Sequence, residues 1–165
     1  MIFGEPLRAY WKRDGKTAEK IIEEAFSEYN NFKSRCDEFD INLCNSALGA
    51  GGEKYARLLR LSVRQIMAAC KLVVKNDGEI LYITKECLSN GCAATVDVAY
   101  PTLPFFLLYN PVLAEAIIRP VFEYVKSGKW PYKFAPHDLG TYPILNGQVY
   151  GNGFKMSMQM PVEEC

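Results

Sequence analysis

The chain has 165 residues, 49% hydrophobic and 23% charged, with 19 Lys+Arg against 19 Asp+Glu. This is the composition of a globular domain able to bury a core, and it excludes a disordered chain. Zero formal net charge without a basic run argues against nucleic acid as the main partner, and no apolar run approaches the roughly 18–20 residues of a membrane span.

In chain order, residues 1–16 carry Pro6, Tyr10, Trp11 and Gly15 and read as an irregular lead-in; Met1-Ile2-Phe3-Gly4 opens no signal-peptide pattern. Thr17 offers a helix N-cap, although Lys20 stands where a capping box would place an acid. Beyond it, Ile21, Ala25, Phe26, Tyr29, Phe32 and Cys36 recur at three- and four-residue steps, which predicts an amphipathic helix. Asp40 is placed to cap a short second helix through Leu43 and Leu48, ended by Gly49, Gly51 and Gly52. Residues 53–72 give the clearest helical pattern, with Tyr55, Leu58, Leu59, Ser62, Ile66, Cys70 and Val73 on one stripe. Helices on either side of a glycine turn predict a helical hairpin.

The period then changes. Residues 72–75 and 79–84 flank Asn76-Asp77-Gly78, a strong signal for a β-hairpin that needs a larger surface beneath it. Residues 95–101 place Asp97 between apolar neighbours, where a buried carboxylate would need a partner. Residues 103–109 are apolar throughout and read as a buried helix. Asn110-Pro111 starts another helix, which Pro120 is expected to kink or split and Ser127-Gly128 to end. From residue 129 to 165 no element longer than a turn is predicted. A loop of that length is functional, disordered or cut from a larger whole, and its dense aromatics argue against disorder. Residues 1–165 are therefore read as one partial domain, with 129–165 as a loop region near the site.

Six cysteines, at 36, 44, 70, 87, 92 and 165, lack paired CxxC spacing, and a single histidine cannot complete a Cys2His2 site. No structural zinc, other metal or cofactor is expected. Cys87 and Cys92 could close a short loop; Cys70 suits a buried thiol in a helix, and free thiols are the default reading.

The chemistry-bearing stretch runs from Ala135 to Pro143, where His137 stands beside Asp138 and between prolines. The pair serves either as a general acid/base or as a hydrogen-bonded turn in which Asp138 accepts backbone amides. Glu163 and Glu164 offer a general base or one member of a carboxylate pair, against a solvated acidic terminus as the plain alternative. Desolvation would raise the pKa of Asp97, as general-acid work requires, unless an Arg or Tyr pairs with it. Tyr142, Trp130 and Tyr100 are the aromatic candidates for substrate contact, with burial in the core as the alternative. Gly49-Ala50-Gly51-Gly52 lacks the Lys-Ser/Thr of a phosphate loop, and no G-x-S-x-G elbow occurs, so a Ser-His-Asp hydrolase is not expected.

Four motifs follow one another in order: Phe39-Asp40 with residues 50–55, then 95–101, 135–143 and 160–165. Together they resemble the carboxyl-terminal domain of the glutaminase A family, secreted proteins of fungi and bacteria, over nearly the whole chain. The resemblance implies a mainly α fold, part of an α/α toroid of the six-hairpin glycosidase type, carrying here a small β-hairpin. It places the site in a funnel of interhelical loops, where His137-Asp138 and Glu163-Glu164 would fall, and it implies a secreted or periplasmic parent. The family name implies hydrolysis of the glutamine side-chain amide to glutamate and ammonia, while the fold implies carbohydrate hydrolysis by paired acids. Three readings stay open. An amide hydrolase would use Asp138, Glu163 or Asp97 to activate water with His137 assisting; a glycoside hydrolase would use two of the same carboxylates; a scaffold or binding module would use none. The expected partner is a small molecule, glutamine or a carbohydrate. A truncated toroid would expose apolar helix faces, so self-association is expected, and the piece alone is expected to be inactive.

Overall fold

Thr17 begins the first helix as its side chain suggests, Oγ1 accepting from the Lys20 amide at 3.3 Å. In the computed structural model, which describes residues 1–86, 88 and 90–150, that helix is α1, Ala18–Ser27. It ends earlier than its apolar stripe, at Glu28, and α2 then runs over Tyr29–Ala69. Asp40 lies inside α2 and caps nothing. The expected glycine turn narrows to one residue: Gly52 takes φ 75 and ψ −172, a non-helical conformation that interrupts α2 and that side chains disfavour. Its neighbour Gly51 admits the Tyr55 ring, which a Cβ would meet at 2.7 Å. The buried positions of α2 are Leu43, Ala47, Ala56 and Val63, whereas Tyr55 and Leu58 of the expected stripe are exposed. Phe26, Tyr29 and Phe32 are exposed as well. These helices form one compact unit, Trp11–Ala68.

The second unit combines Met1–Tyr10 with the chain from Ala69 onward. Its hairpin pairs β2, Cys70–Val74, with β3, Ile80–Thr84, in antiparallel register from Cys70↔Thr84 to Val74↔Ile80. Gly78, at φ 92, closes the turn by donating its amide to the Lys75 carbonyl at 3.1 Å, and Asp77 Oδ1 accepts from the Glu79 amide at 2.9 Å. Cys70 thus opens a strand instead of closing a helix, because ladder pairing with Thr84 satisfies a backbone rich in β-formers from Leu72 on. The lead-in is more ordered than its composition suggests. Arg8–Ala9 form β1, paired with Val74 and Val73, so the hairpin grows into a three-stranded sheet of order β1-β2-β3.

The sheet rests on α5, Pro111–Lys126, which packs against β3. Asn110 caps α5 through Oδ1, and Pro120 sits buried inside the one helix, so of the two outcomes expected of it a second segment does not form. Between sheet and α5 lie α3, Val96–Ala99, and α4, Leu103–Tyr109, in chain order. α4 buries only Phe106; Leu107 and Leu108 face outward, so it is a one-sided helix and not a buried one. Leu81, Ile83, Tyr124, Trp130, Leu139 and Leu145 form the heart of the core, with Ile2 from the amino terminus. Each such side chain stabilises the fold by about 1.5–3 kcal/mol on burial. Among the described residues, no helix is long and apolar enough to cross a membrane.

One ion cluster ties the hairpin to α5. Lys75, 13% exposed at its side chain, places Nζ 2.9 Å from both Glu79 and Glu123 and 3.4 Å from Asp77. Burial works against its charge, yet the bonds to Glu123 and Glu79 outweigh it and raise Lys75 above the ordinary lysine range. The Lys75 hydrogen bond lowers Glu79, and the Glu79 backbone amide lowers Asp77, both below the ordinary carboxylate range. Carboxylates depressed in the folded state contribute stability that is present at neutral pH and lost as acid protonates them. Lys75→Met is therefore expected to destabilise the chain by about 1–3 kcal/mol at pH 7, and acidification from pH 6 to 3 to cost the variant less than the wild type. Urea midpoints across that range measure it; parallel curves for the two proteins would contradict the assignment.

Candidate functional site

The loop bearing His137 is irregular but not loose. It lies beside residues 92–96, with the Val96 amide donating to the His137 carbonyl at 2.9 Å and the Leu139 amide to the Ala93 carbonyl at 3.0 Å. The Ala93 amide returns to the Gly140 carbonyl at 2.8 Å, so the two segments clasp like a short ladder. His137 and Asp138 are both buried, at 7% and 0% exposure.

Asp138 is committed to this architecture. Its Oδ1 accepts from the Gly140 amide at 2.8 Å and the Val149 amide at 3.0 Å, and its Oδ2 from the Tyr150 amide at 3.1 Å. The same Oδ2 lies 3.1 Å from His137 Nδ1. An ionised carboxylate offers only acceptors, so the imidazole proton sits on Nδ1 and the Nε2 lone pair is left for other work. With four donors on it and no exposure, Asp138 holds no position from which to activate a substrate water; it orients the ring. Tyr150 stacks on the imidazole at 4.4 Å between centroids, and the Gln148 side-chain oxygen accepts from the His137 backbone amide at 2.7 Å.

Two further carboxylates converge on that ring. One oxygen of Glu86, one of Asp97 and a ring nitrogen of His137 all lie within 4.8 Å of one another. Asp97 comes from α3, which turns Val96 and Ala99 inward and leaves Asp97 exposed, so its apolar neighbours in sequence do not desolvate it. Glu86 follows β3, and its amide donates to the Cys92 carbonyl at 2.9 Å. Sequence reasoning passed over Glu86, since nothing in its local pattern separates it from any surface glutamate.

Cys92 lies behind the ring, its sulfur within 4.8 Å of His137 and Asp138. Burial, then the charges of Asp138 and Glu86, push its thiol up to about 12. Cys92 is a free thiol, as are Cys36, Cys44 and Cys70; Cys87, its expected partner in a short loop, lies outside the described residues.

The aromatic candidates separate. Tyr142 and Tyr100 are exposed, and Tyr142 lines a groove of about 650 Å³ with Tyr124, Gly140, Pro143 and Gln148. The Lys85 ammonium lies 5.1 Å from the Tyr142 ring centre. Trp130, at 4% exposure, is a core residue whose indole donates to the Phe134 carbonyl, which removes it from substrate contact. Glu163 and Glu164 lie outside the described residues.

Comparison with known proteins bears on the same segment. The glutaminase A six helical-hairpin domain family matches residues 52–165, which include every residue of the cluster. A protein named glutaminase A from Aspergillus oryzae is 35% identical over 160 residues, 96% of this chain and 22% of the relative. One named probable glutaminase from Arthroderma benhamiae is 28% identical over 160 residues, 96% of this chain and 18% of the relative. The chain thus spans about a fifth of the length of these relatives. No solved structure matches it.

Proposed function

The chain belongs to the glutaminase A family, through its six helical-hairpin domain, and on that basis we propose that it contributes a hydrolytic site for the glutamine side-chain amide in a secreted protein. The helices would be part of an α/α toroid, and the exposed Phe26, Tyr29 and Phe32 would be covered by further helices or by a second copy. The observation that carries the site is the buried Asp138, whose Oδ2 lies 3.1 Å from His137 Nδ1, with one oxygen each of Asp97 and Glu86 within 4.8 Å of a ring nitrogen of the same imidazole. In this reading Nε2 takes a proton from water as the oxygen attacks the amide carbon. Asp138 stabilises the imidazolium so formed, which returns the proton to the nitrogen as the C–N bond breaks, leaving glutamate and ammonia. Tyr142 and Tyr100 are the exposed aromatic side chains available to contact substrate.

A second reading rests on the spacing of Glu86 and Asp97. One oxygen of each lies within 4.8 Å of the other, which puts the two carboxyl groups in the close range used by retaining glycosidases, roughly 5–5.5 Å, and not the wider range of inverting ones. Offering the full-length protein glutamine and a panel of glycosides separates the two. Ammonia release that falls at least about tenfold in Asp97→Asn and Glu86→Gln supports the amide reading. Release of sugar with no ammonia would replace it by the glycosidase, and wild-type ammonia release in both variants would remove the cluster from the chemistry.

A further inference from the structure

The sequence, with its one histidine, gave no reason to expect a metal; the folded chain does. We propose that Glu86, Asp97 and His137 form a binding site for a first-row divalent cation, Zn²⁺ or Mn²⁺. The donors come from three segments, the residues just after β3, α3 and the 135–150 loop, tied by the Glu86–Cys92 and Val96–His137 backbone bonds, each 2.9 Å. Their ligand atoms already lie within 4.8 Å of one another. A cation bound at roughly 2.0–2.2 Å from each would set the donors about 3–3.5 Å apart, a closure within reach of two carboxylate side chains. The imidazole would bind through Nε2. Its Nδ1 proton is held by Asp138, itself anchored by three backbone amides, which is how proteins fix a metal-binding histidine with the other nitrogen presented to the ion.

The competing set, Cys92 with His137 and Asp138, is equally close but chemically unavailable. Both oxygens of Asp138 are taken by donors, and His137 already spends Nδ1 on it. One nitrogen and two oxygens suit Zn²⁺ or Mn²⁺ better than Ca²⁺ or Mg²⁺, which favour oxygen alone. Three protein ligands leave coordination positions open to water, and a bound cation would acidify that water for attack. A cation bound there would occupy the Nε2 lone pair, so its water would take the place of the imidazole base in the amide reading.

The test strips the full-length protein with a chelator and titrates it by calorimetry with Zn²⁺ and separately with Mn²⁺, with Co²⁺ absorption as a coordination readout. One equivalent is expected to bind, with affinity lowered at least about tenfold in Glu86→Gln, Asp97→Asn and His137→Gln, and about 10–100-fold in Asp138→Asn. Glu86 and Asp97 are not buried, so their variants keep the test valid should the two loop variants fold poorly. No binding, or binding unchanged in both Glu86→Gln and Asp97→Asn, overturns the site. A protein that binds the cation here yet releases no ammonia from glutamine keeps the site and discards the amide reading. One that hydrolyses glutamine fully after stripping yet binds no added cation does the reverse.

Discussion

Glutamine in place of His137 is expected to lower ammonia release from glutamine by the full-length protein about 10²–10⁴-fold, the range that a positioned acid–base group supplies. The loss should appear in kcat more than in KM, because the imidazole acts on the transferring proton and not on the bound ground state. Glutamine preserves much of the side-chain bulk and offers a neutral hydrogen-bonding group to Asp138. It has no nitrogen that can take a proton from water or bind a cation. Acting as a base and binding a cation both need the one Nε2 lone pair, so they are alternatives that fail together in this variant, and the cation titration distinguishes them. Turnover within about threefold of wild type would mean that the chemistry lies elsewhere in the protein.

Asp138→Asn is expected to destabilise the fold by about 1–3 kcal/mol, the largest stability effect of any isosteric change at the site. The carboxylate accepts from three backbone amides and from His137 Nδ1, with no exposure to water that could take over. An asparagine can keep its oxygen toward Gly140 and Val149, but its amino group then faces the Tyr150 amide and the imidazole N–H, donor against donor. Turned over, it fails the other pair. In the first orientation the imidazole can shift its proton to Nε2 and accept from the amino group, which leaves the part-buried Tyr150 amide without its acceptor at about 1–3 kcal/mol and puts His137 in the wrong tautomer. Urea unfolding followed by far-ultraviolet circular dichroism measures the change. A shift below 1 kcal/mol would show that the loop is held by its backbone clasp to residues 92–96 alone.

Local chemistry was legible where short-range rules act alone. Thr17 and Asn110 cap helices, Asn76-Asp77-Gly78 closes the hairpin, and residues 103–109 and 111–126 are helical, each from residues within a few positions of one another. Errors arose where distant segments decided the outcome. Residues 8 and 9 became a strand because β2 offered an unpaired edge, and Cys70 left its helix for the same sheet. Trp130 was drawn into the core by Tyr124 and Phe134. Asp97, flanked by apolar residues in sequence, faces outward because a helical turn sends its neighbours to another side.

The candidate site divides along the same line. The sequence by itself determined that His137 and Asp138 stand together in a loop bounded by prolines, and adjacency made their hydrogen bond available. It also carried the family membership, through motifs whose order needs no coordinates. Only the tertiary structure decided the division of labour within the pair. Amides from residues 140, 149 and 150 fill the Asp138 carboxylate, and Glu86 and Asp97, 51 and 40 positions before His137, arrive beside its ring. No periodicity or spacing encodes such a meeting, because it is set by how β3, α3 and the loop fasten to one another through backbone bonds that every residue type can make.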